Sequence, residues 1–397
     1  MAAVSAPTRA AARLSGLGTT IFAEMSALAL ATGSVNLGQG FPDTDGPDVV
    51  LDAAVEAIRS GQNQYPPGIG IPALRHAVSD HQQRFYGLSY DPDTEVLVTT
   101  GATEAIAAAL LALVDPGDEV IAMEPYYDSY AACIAMAGGT RVPITLRAPD
   151  FRLDVDGLRA AVTPKTKLML INTPHNPTGT VLTRDELTAV AELAIEHDLL
   201  VVTDEVYEHL TYDDAMHIPL ASLPGMRERT VTISSSGKTF SLTGWKIGWV
   251  CATPELVRTV MMAKQFLTYV SGAPFQPAIA TALALPDSYY RGFTAEMQGK
   301  RDILCDGLAG LGFDVMRSSG TYFATTDVRS LGFDDGVEFC RALPAACGVV
   351  AIPHQVFYDH VEVGKPLVRW AFCKKPSTLE TALSRLADGL PAMRRAG

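Results

Sequence analysis

Residues Ser234–Phe240 read SSSGKTF, and residues Gly244–Trp249 just beyond them read GWKIGW. The first segment follows an apolar, strand-like run at Arg229–Ser234 and places Lys238 in a turn rich in serine and glycine. A lysine that loses solvent beside a second cation, here Lys246, has a lowered pKa and a more nucleophilic amine. Hydroxyls and a second cation suit a bound phosphate. The pattern predicts covalent bonding of Lys238 to an aldehyde cofactor that carries a phosphate; a solvated lysine in a polar turn is the alternative.

Apolar strand-like segments alternate with helical segments over the first two thirds of the chain. Strands are predicted at Glu95–Thr100, Glu119–Met123, Leu168–Thr173, Leu199–Thr203, Thr230–Ser234 and Ile247–Ala252. Helices are predicted at Ile106–Val114, Ser129–Ala137, Arg184–Glu196 and Pro254–Lys264. This alternation predicts an α/β fold, with a mostly parallel sheet covered by helices on both faces. Ligands of such sheets bind at the carboxyl ends of the strands.

After about residue 285 the pattern changes to one long helix, short strands and further helices. Strands are predicted there at Phe313–Met316, Tyr322–Thr326, Val349–Ile352 and Leu367–Phe372. We therefore expect three parts: an N-terminal arm over residues 1–45, a large domain over 46–285 and a smaller α+β domain over 286–397, which the arm joins.

Composition limits the function classes. The chain has 397 residues, of which 48% are hydrophobic and 19% charged, and a net charge of −13. An acidic chain is not expected to bind nucleic acid or anionic membranes nonspecifically, because both require basic surface. The six cysteines form no C-x-x-C pair or metal-binding spacing, and no apolar run is long enough to span a membrane. We expect a cytoplasmic protein without a metal site.

Three further segments follow predicted strands. Gly101–Ala102–Thr103 lies between a strand and a helix, where free N–H groups can hold a phosphate; a plain strand–helix turn is the alternative. Asn176, in Asn172–Gly179, can offer an amide donor, or can simply belong to an Asn-Pro turn. Tyr127 offers a flat ring suited to stacking on an aromatic cofactor, or to packing in the core.

Two charged residues lie in or after apolar strands. Asp204 follows the strand at Leu199–Thr203, and a buried carboxylate there needs a cation, such as a protonated pyridine nitrogen. Capping of a helix is the alternative role. Arg369 lies inside the strand at Leu367–Phe372, where a guanidinium needs an anion, either a ligand carboxylate or a structural partner.

Together, in this order, these motifs resemble the class I/II aminotransferases, the fold type I enzymes that depend on pyridoxal 5′-phosphate. The resemblance covers nearly the whole chain. The sequences of these segments are most similar to the branch that holds kynurenine/glutamine aminotransferases and actinobacterial N-succinyldiaminopimelate aminotransferases. It rests on the segments LGQGFPD (37–43), NQYPPG (63–68), EPYYDSY (124–130), NPTG (176–179), DEVY (204–207) and GKTFSLTGWKIGW (237–249).

The resemblance implies a role for each matching residue. Lys238 would bond to the cofactor and then move the proton, and Asp204 would keep the pyridine nitrogen protonated. Tyr207 and Asn176 would bind the phenolic oxygen, and Tyr127 would stack on the ring. The phosphate would be held by Gly101, Ala102, Thr103, Ser235 and Lys246; many relatives have arginine in place of Lys246.

The resemblance also implies how substrates bind. Arg369, Asn176 and the backbone of Gly40 would bind the substrate α-carboxylate. Tyr65 resembles a tyrosine that reaches the site of the neighbouring subunit, which implies a homodimer. The implied partners are an amino-acid donor and a 2-oxo acid acceptor, in a ping-pong reaction with 2-oxoglutarate.

The donor stays open at this point. N-succinyl-LL-2,6-diaminopimelate is favoured by the resemblance and would need an extra cation or amide donor at the pocket mouth. Kynurenine, glutamine or methionine would suit the aromatic segments around Phe22, Phe41, Tyr65 and Phe357–Tyr358. A β-eliminating C–S lyase is a rival on the same fold. A transcriptional regulator with an aminotransferase-like domain is disfavoured, because the resemblance begins by about residue 15.

Overall fold

The computed structural model describes residues 11–14 and 20–396, apart from the side chains at 394–396. The first part of the predicted N-terminal arm thus lies largely outside the described residues. The strands are β1 (Val35–Asn36), β2 (Val96–Thr99), β3 (Glu119–Glu124), β4 (Thr140–Thr145), β5 (Thr166–Asn172), β6 (Leu200–Asp204), β7 (Thr230–Ser235), β8 (Gly248–Cys251), β9 (Asp314–Met316), β10 (Phe323–Asp327), β11 (Val349–Val350), β12 (Ile352–Pro353) and β13 (Leu367–Ala371).

The helices of the same residues complete the fold. They are α1 (Ile21–Thr32), α2 (Asp48–Arg59), α3 (Pro72–Tyr86), α4 (Gly101–Leu113), α5 (Asp128–Ala137), α6 (Val155–Ala161), α7 (Arg184–Glu196), α8 (Ser236–Thr239), α9 (Pro254–Leu267), α10 (Phe275–Leu283), α11 (Asp287–Gly310), α12 (Gly336–Cys347), α13 (Val361–Gly364) and α14 (Pro376–Ala396). None of the described helices is long and apolar enough to cross a bilayer.

The larger sheet has seven strands in the order β2-β8-β7-β6-β5-β3-β4. Its strands are parallel except β8, which runs antiparallel to both of its neighbours, β2 and β7. Successive strand residues point to opposite faces, so that Val120 and Ala122 pack under α4, α5 and α9, whereas Ile121 and Met123 pack with α6 and α7. Helices on both faces explain why these strands are apolar throughout. The predicted fold class is confirmed.

The second sheet is antiparallel, in the order β12-β13-β10-β9. Residues of this sheet share one core with α11, α12 and α14. The segment near residue 35 joins this region, because β1 pairs in parallel with β11. The domain boundaries at residues 45 and 285 stay a prediction.

One detail of the sequence-based prediction was wrong. The run Val349–Ile352 is not one strand: β11 pairs with β1, β12 pairs with β13, and Ala351 separates them. An apolar run does not reveal which strands it will pair with, so such a switch between sheets is invisible in the sequence. The turn predicted around Lys238 is the single helical turn α8, which directly follows β7.

Candidate active site

The parallel strands place their carboxyl ends at one edge of the larger sheet, as expected for this architecture. Asp204 and Ser235 are the last residues of β6 and β7. Lys246 precedes β8 and reaches the same edge because β8 runs in the opposite direction. A cavity of about 1190 Å³ opens at this edge and is lined by residues from both sheets. It therefore brings together side chains that lie far apart in the sequence.

Lys238 is the amine at the bottom of this cavity. It is partly buried and its Nζ donates a hydrogen bond to Tyr322 Oη at 2.9 Å. Burial lowers the pKa of Lys238 from 10.5 to about 8, although the nearby carboxylate of Asp204 opposes the shift. A lysine with this pKa has a substantial neutral fraction near neutral pH, and only the neutral amine is a nucleophile or a base.

Replacing Lys238 with Met is expected to stabilise the cofactor-free protein at about pH 7. The pKa of Lys238 is about 8 in the folded chain and 10.5 ordinarily. The unfolded chain therefore holds this proton more tightly, and protonation disfavours folding. This cost is full below about pH 8 and disappears as the pH rises toward 10.5.

The measurement is the thermal midpoint of both proteins at about pH 7 and about pH 9.5. The advantage of the variant should narrow at the higher pH. Lys167→Met is the matched control, because Lys167 is exposed and should give no such change. An advantage that stays the same at both pH values would contradict the pKa assigned to Lys238.

Asp204 is a buried carboxylate, 5% exposed. Its Oδ2 accepts a hydrogen bond from Tyr130 Oη at 2.6 Å, and its Oδ1 accepts one from the backbone N–H of Val206 at 3.3 Å. Burial raises its pKa, against the hydrogen bond from Tyr130. No cation of the described chain forms an ion pair with Asp204, so the carboxylate suits a cationic group of a bound molecule.

A cradle for an anion lies at the start of α4. Gly101 has a φ of 72° and begins this helix, so that free N–H groups and the positive end of the helix face the cavity. A Cβ on Gly101 would lie 3.2 Å from Nζ of Lys246. Thr103 and Ser235 also line the cavity. Helix terminus, lysine and hydroxyls together fit a phosphate.

Asn176 lies between this region and Arg369. Its backbone N–H donates to Asn172 Oδ1 at 2.8 Å, and Asn172 Nδ2 donates to the carbonyl oxygen of Asp204 at 2.8 Å. Asn176 Oδ1 accepts from Arg369 Nη1 at 3.0 Å. The amide group of Asn176 is thereby oriented, which leaves its Nδ2 as the donor available to a ligand.

Arg369 is buried, at 1% exposure, without a carboxylate partner among the described residues. Its Nη2 donates to the carbonyl oxygen of Gly38 at 2.8 Å, and its guanidinium lies 3.9 Å from the ring centre of Phe323. Its Nε is buried with no hydrogen-bond partner in the described chain. Burial lowers the pKa of Arg369 to about 10, which leaves the guanidinium charged near neutral pH. A substrate carboxylate would complete this site.

The remaining predicted residues are placed as follows. Tyr127, Tyr207, Gly40 and Ala102 line the cavity. Tyr65 does not: its side chain is 81% exposed and packs edge-on against Tyr269, with the ring centres 5.4 Å apart. Within one chain, therefore, the structure brings all the predicted site residues together except Tyr65.

Sequence reasoning missed the residues that position the predicted ones. Tyr322 accepts from Lys238 and donates to the carbonyl oxygen of Gly40, and Tyr130 donates to Asp204. Tyr130 falls in the quoted segment EPYYDSY, which was a signal that could have identified it. Tyr322 has no such signal, because only the docking of the two sheets places it beside Lys238.

Residues 32–386 match the model of the family described as aminotransferase class I and II. The chain belongs to this family. This transaminase is 54% identical to a probable N-succinyldiaminopimelate aminotransferase of Mycobacterium tuberculosis, over 94% of this chain and 97% of the relative. It is 40% identical to the methionine aminotransferase of Escherichia coli, over 94% of this chain and 97% of the relative.

A solved structure of the Mycobacterium tuberculosis N-succinyldiaminopimelate aminotransferase has the same fold. It superimposes on this transaminase with a TM-score of 0.93, at 55% sequence identity, covering 95% of this chain and 99% of the other. The family resemblance predicted from the motifs is thereby confirmed.

Proposed function

We propose that this transaminase uses pyridoxal 5′-phosphate to move the amino group of N-succinyl-LL-2,6-diaminopimelate to 2-oxoglutarate. The cofactor fits the donor set: an anion cradle at Gly101 and Lys246, the carboxylate of Asp204 without a cation, and the amine of Lys238 between them. When bound, the cofactor supplies an aldehyde for the amino group and a ring that stabilises negative charge at the donor Cα.

Each residue then has a distinct task. Lys238 would hold the cofactor through its amine and would serve as the base and acid for the Cα proton of the donor. Asp204, fixed by Tyr130, would keep the ring nitrogen protonated. Lys246, Ser235 and the start of α4 hold the phosphate.

The other side chains orient the ring and the donor. Tyr127 would cover the ring, and Tyr207 and the amide of Asn176 would hydrogen-bond the phenolic oxygen. Arg369, with its free Nε, and the backbone near Gly40 bind the α-carboxylate of the donor and of the oxo acid in turn. One α-carboxylate site therefore serves both half-reactions of a ping-pong cycle.

The charge of the cavity is the observation that carries the choice of donor. Six cationic side chains line it, against three carboxylates: Arg13, Arg141, Lys238, Lys246, Arg341 and Arg369, with Glu24, Asp128 and Asp204. This excess of positive charge occurs in a chain whose net charge is −13. A cofactor phosphate and a donor with several carboxylates suit such a cavity.

The second candidate is a broad transaminase of kynurenine, glutamine or methionine. It is favoured by the aromatic side chains of Phe22, Tyr126 and Phe357 in the cavity wall and by the identity to the methionine enzyme. A comparison of kcat/KM for the four donors, with 2-oxoglutarate as acceptor, tests the choice. N-succinyl-LL-2,6-diaminopimelate should exceed the others by about tenfold or more; a higher value for any other donor would favour the second candidate.

The proposed homodimer completes the site with Tyr65 of the neighbouring subunit, because this exposed ring lies outside the cavity of its own chain. Mixing Tyr65→Ala protein with Lys238→Ala protein should then restore activity that neither has alone. In a hybrid, the intact Lys238 of one subunit meets the intact Tyr65 of the other. Activity of the refolded mixture is the measurement; absence of restoration, with hybrids demonstrated by a tag on one subunit, would contradict a shared site.

The six cysteines are free and buried, which suits a reducing compartment. We place the enzyme in the cytoplasm on this basis.

A further inference from the structure

Three arginines of the cavity have no task in the reaction described above: Arg13, Arg141 and Arg341. Arg341 is already neutralised, because its Nε and Nη2 donate to the two carboxylate oxygens of Glu24 at 2.9 and 3.4 Å. Arg13 and Arg141 differ from it in what they leave free, and both belong to segments that pack against α5, namely Ala12–Leu14 and β4.

One face of α5 forms the wall of this extension. Asp128, Ala131, Ala132 and Ala135 line the cavity, and their spacing places them on one side of the helix. Alanine side chains leave the space beside the helix open. At 1.5 Å per residue, the wall runs about 10 Å from Asp128 to Ala135. The cavity is therefore long enough for an extended donor whose reacting end lies beside Tyr127.

Arg141 is a guanidinium held in a fixed orientation at the wall. Its Nε donates to Asp359 Oδ2 at 2.7 Å and its Nη2 donates to Oδ1 of the same carboxylate. It also lies over the ring of Tyr126, 4.7 Å from the ring centre. Among the described residues Nη1 has no hydrogen-bond partner, and Arg141 lines the cavity, so this ordered guanidinium keeps one donor group for a ligand.

Arg13 supplies the charge that Arg141, paired with Asp359, no longer offers. It belongs to the short helical segment Ala12–Leu14, which packs against α5. Its side chain lines the cavity and is exposed, and no carboxylate of the described ranges pairs with it. An uncompensated cation and an oriented donor in the lining of one cavity are groups that suit a carboxylate.

We propose that Arg13 and Arg141 form a second anion subsite, which binds the succinyl carboxylate of the amino donor while Arg369 binds the α-carboxylate. The subsite rests on the proposed function and deepens it: it selects amino acids that carry an additional carboxylate at the far end of a long, flexible chain. 2-Oxoglutarate carries no succinyl group, so the preference between succinyl donors, measured with this acceptor held constant, reports on the subsite.

The test pairs a change in the protein with a change in the substrate. Arg13→Gln and Arg141→Lys enzymes are assayed with N-succinyl-LL-2,6-diaminopimelate and with its succinamoyl analogue, in which the far carboxylate is replaced by a neutral amide of the same shape. For the wild type, the kcat/KM of the analogue should be lower than that of the succinyl donor by about tenfold or more, mainly because the KM of the analogue is higher.

For Arg13→Gln, the two substrates should become nearly equal, since the variant loses the charge that distinguishes them. Arg141→Lys keeps the charge but loses the planar guanidinium that Asp359 orients. The preference for the succinyl donor should therefore fall less than in Arg13→Gln. Arg159→Gln is the matched control, because Arg159 is exposed on α6 and, among the residues that the structure describes, pairs with Asp156 alone, at 3.7 Å. It should keep the wild-type preference.

The outcomes separate the subsite from the function. A wild-type enzyme that uses the succinyl donor well, together with Arg13→Gln and Arg141→Lys enzymes that keep the full preference, would overturn the subsite and leave the proposed function standing. A wild-type enzyme that rejects both long donors and uses methionine would overturn the proposed donor and the subsite together. Equal use of the two long donors by the wild type would overturn the subsite alone.

Discussion

Replacing Lys238 with Ala is expected to lower kcat about 10⁴-fold or more, because the cavity then lacks both the amine that bonds to the cofactor and the base that moves the proton. Among the described residues, Lys246 is the one other lysine that lines the cavity. Lys246 is held at the start of α4 beside Gly101, and Lys264 donates to the backbone oxygens of Gly68 and Tyr269.

The measurement is the steady-state kcat of the cofactor-loaded variant, with Lys167→Ala as the control on an exposed lysine. In parallel, borohydride reduction of the wild-type protein followed by peptide mass analysis should place the cofactor on Lys238. A variant with near-normal kcat, or a cofactor found on another lysine, would contradict the role assigned to Lys238.

Replacing Asp204 with Asn is expected to lower kcat about 10²–10⁴-fold, because a buried cation that loses its counter-charge costs about 3–5 kcal/mol. Asn has nearly the same size and can still accept the hydrogen bond from Tyr130, so the change removes charge and little else. The effect should appear in kcat more than in the KM for the donor. Arg369 and Asn176, which would bind the α-carboxylate, keep their hydrogen bond to each other in this variant.

Two controls accompany this variant. Tyr130→Phe keeps the carboxylate and removes its 2.6 Å hydrogen bond, so a loss of about tenfold is expected. Asp156→Asn changes a carboxylate whose side chain is 98% exposed and should have no effect. An Asp204→Asn enzyme whose kcat stays within about twofold of the wild-type value would show that the ring nitrogen does not need this charge.

The parts of the site that lie at strand ends could be predicted from the sequence. Asp204 and Ser235 follow apolar runs directly, and the geometry of parallel strands then brings them to one edge. Lys246 precedes its strand instead of following it. It reaches the same edge of the sheet because β8 runs antiparallel to β7.

What the sequence did not reveal depends on contacts between distant segments. β4 was not predicted, because it contains Pro143 and is only partly buried. The position of Arg141 in the cavity wall was therefore not predicted either. The helix α3 was missed because its buried side includes Arg75, His81 and Gln82, which weakens the apolar pattern. Tyr322 reaches Lys238 across the two sheets, a proximity that no local pattern encodes.

The most direct test of the central claim is a single half-reaction. The purified, cofactor-loaded enzyme is mixed with excess N-succinyl-LL-2,6-diaminopimelate in the absence of any oxo acid, and the products are counted per active site. A transaminase whose Lys238 moves the proton within one site should release one equivalent of the donor's oxo acid, lose the visible absorbance of the cofactor aldehyde and then stop until 2-oxoglutarate is added. No release of the oxo acid and no loss of this absorbance would contradict amino transfer from this donor. If cystathionine replaces the donor, continued release of pyruvate and ammonia without an oxo acid would indicate an eliminating lyase.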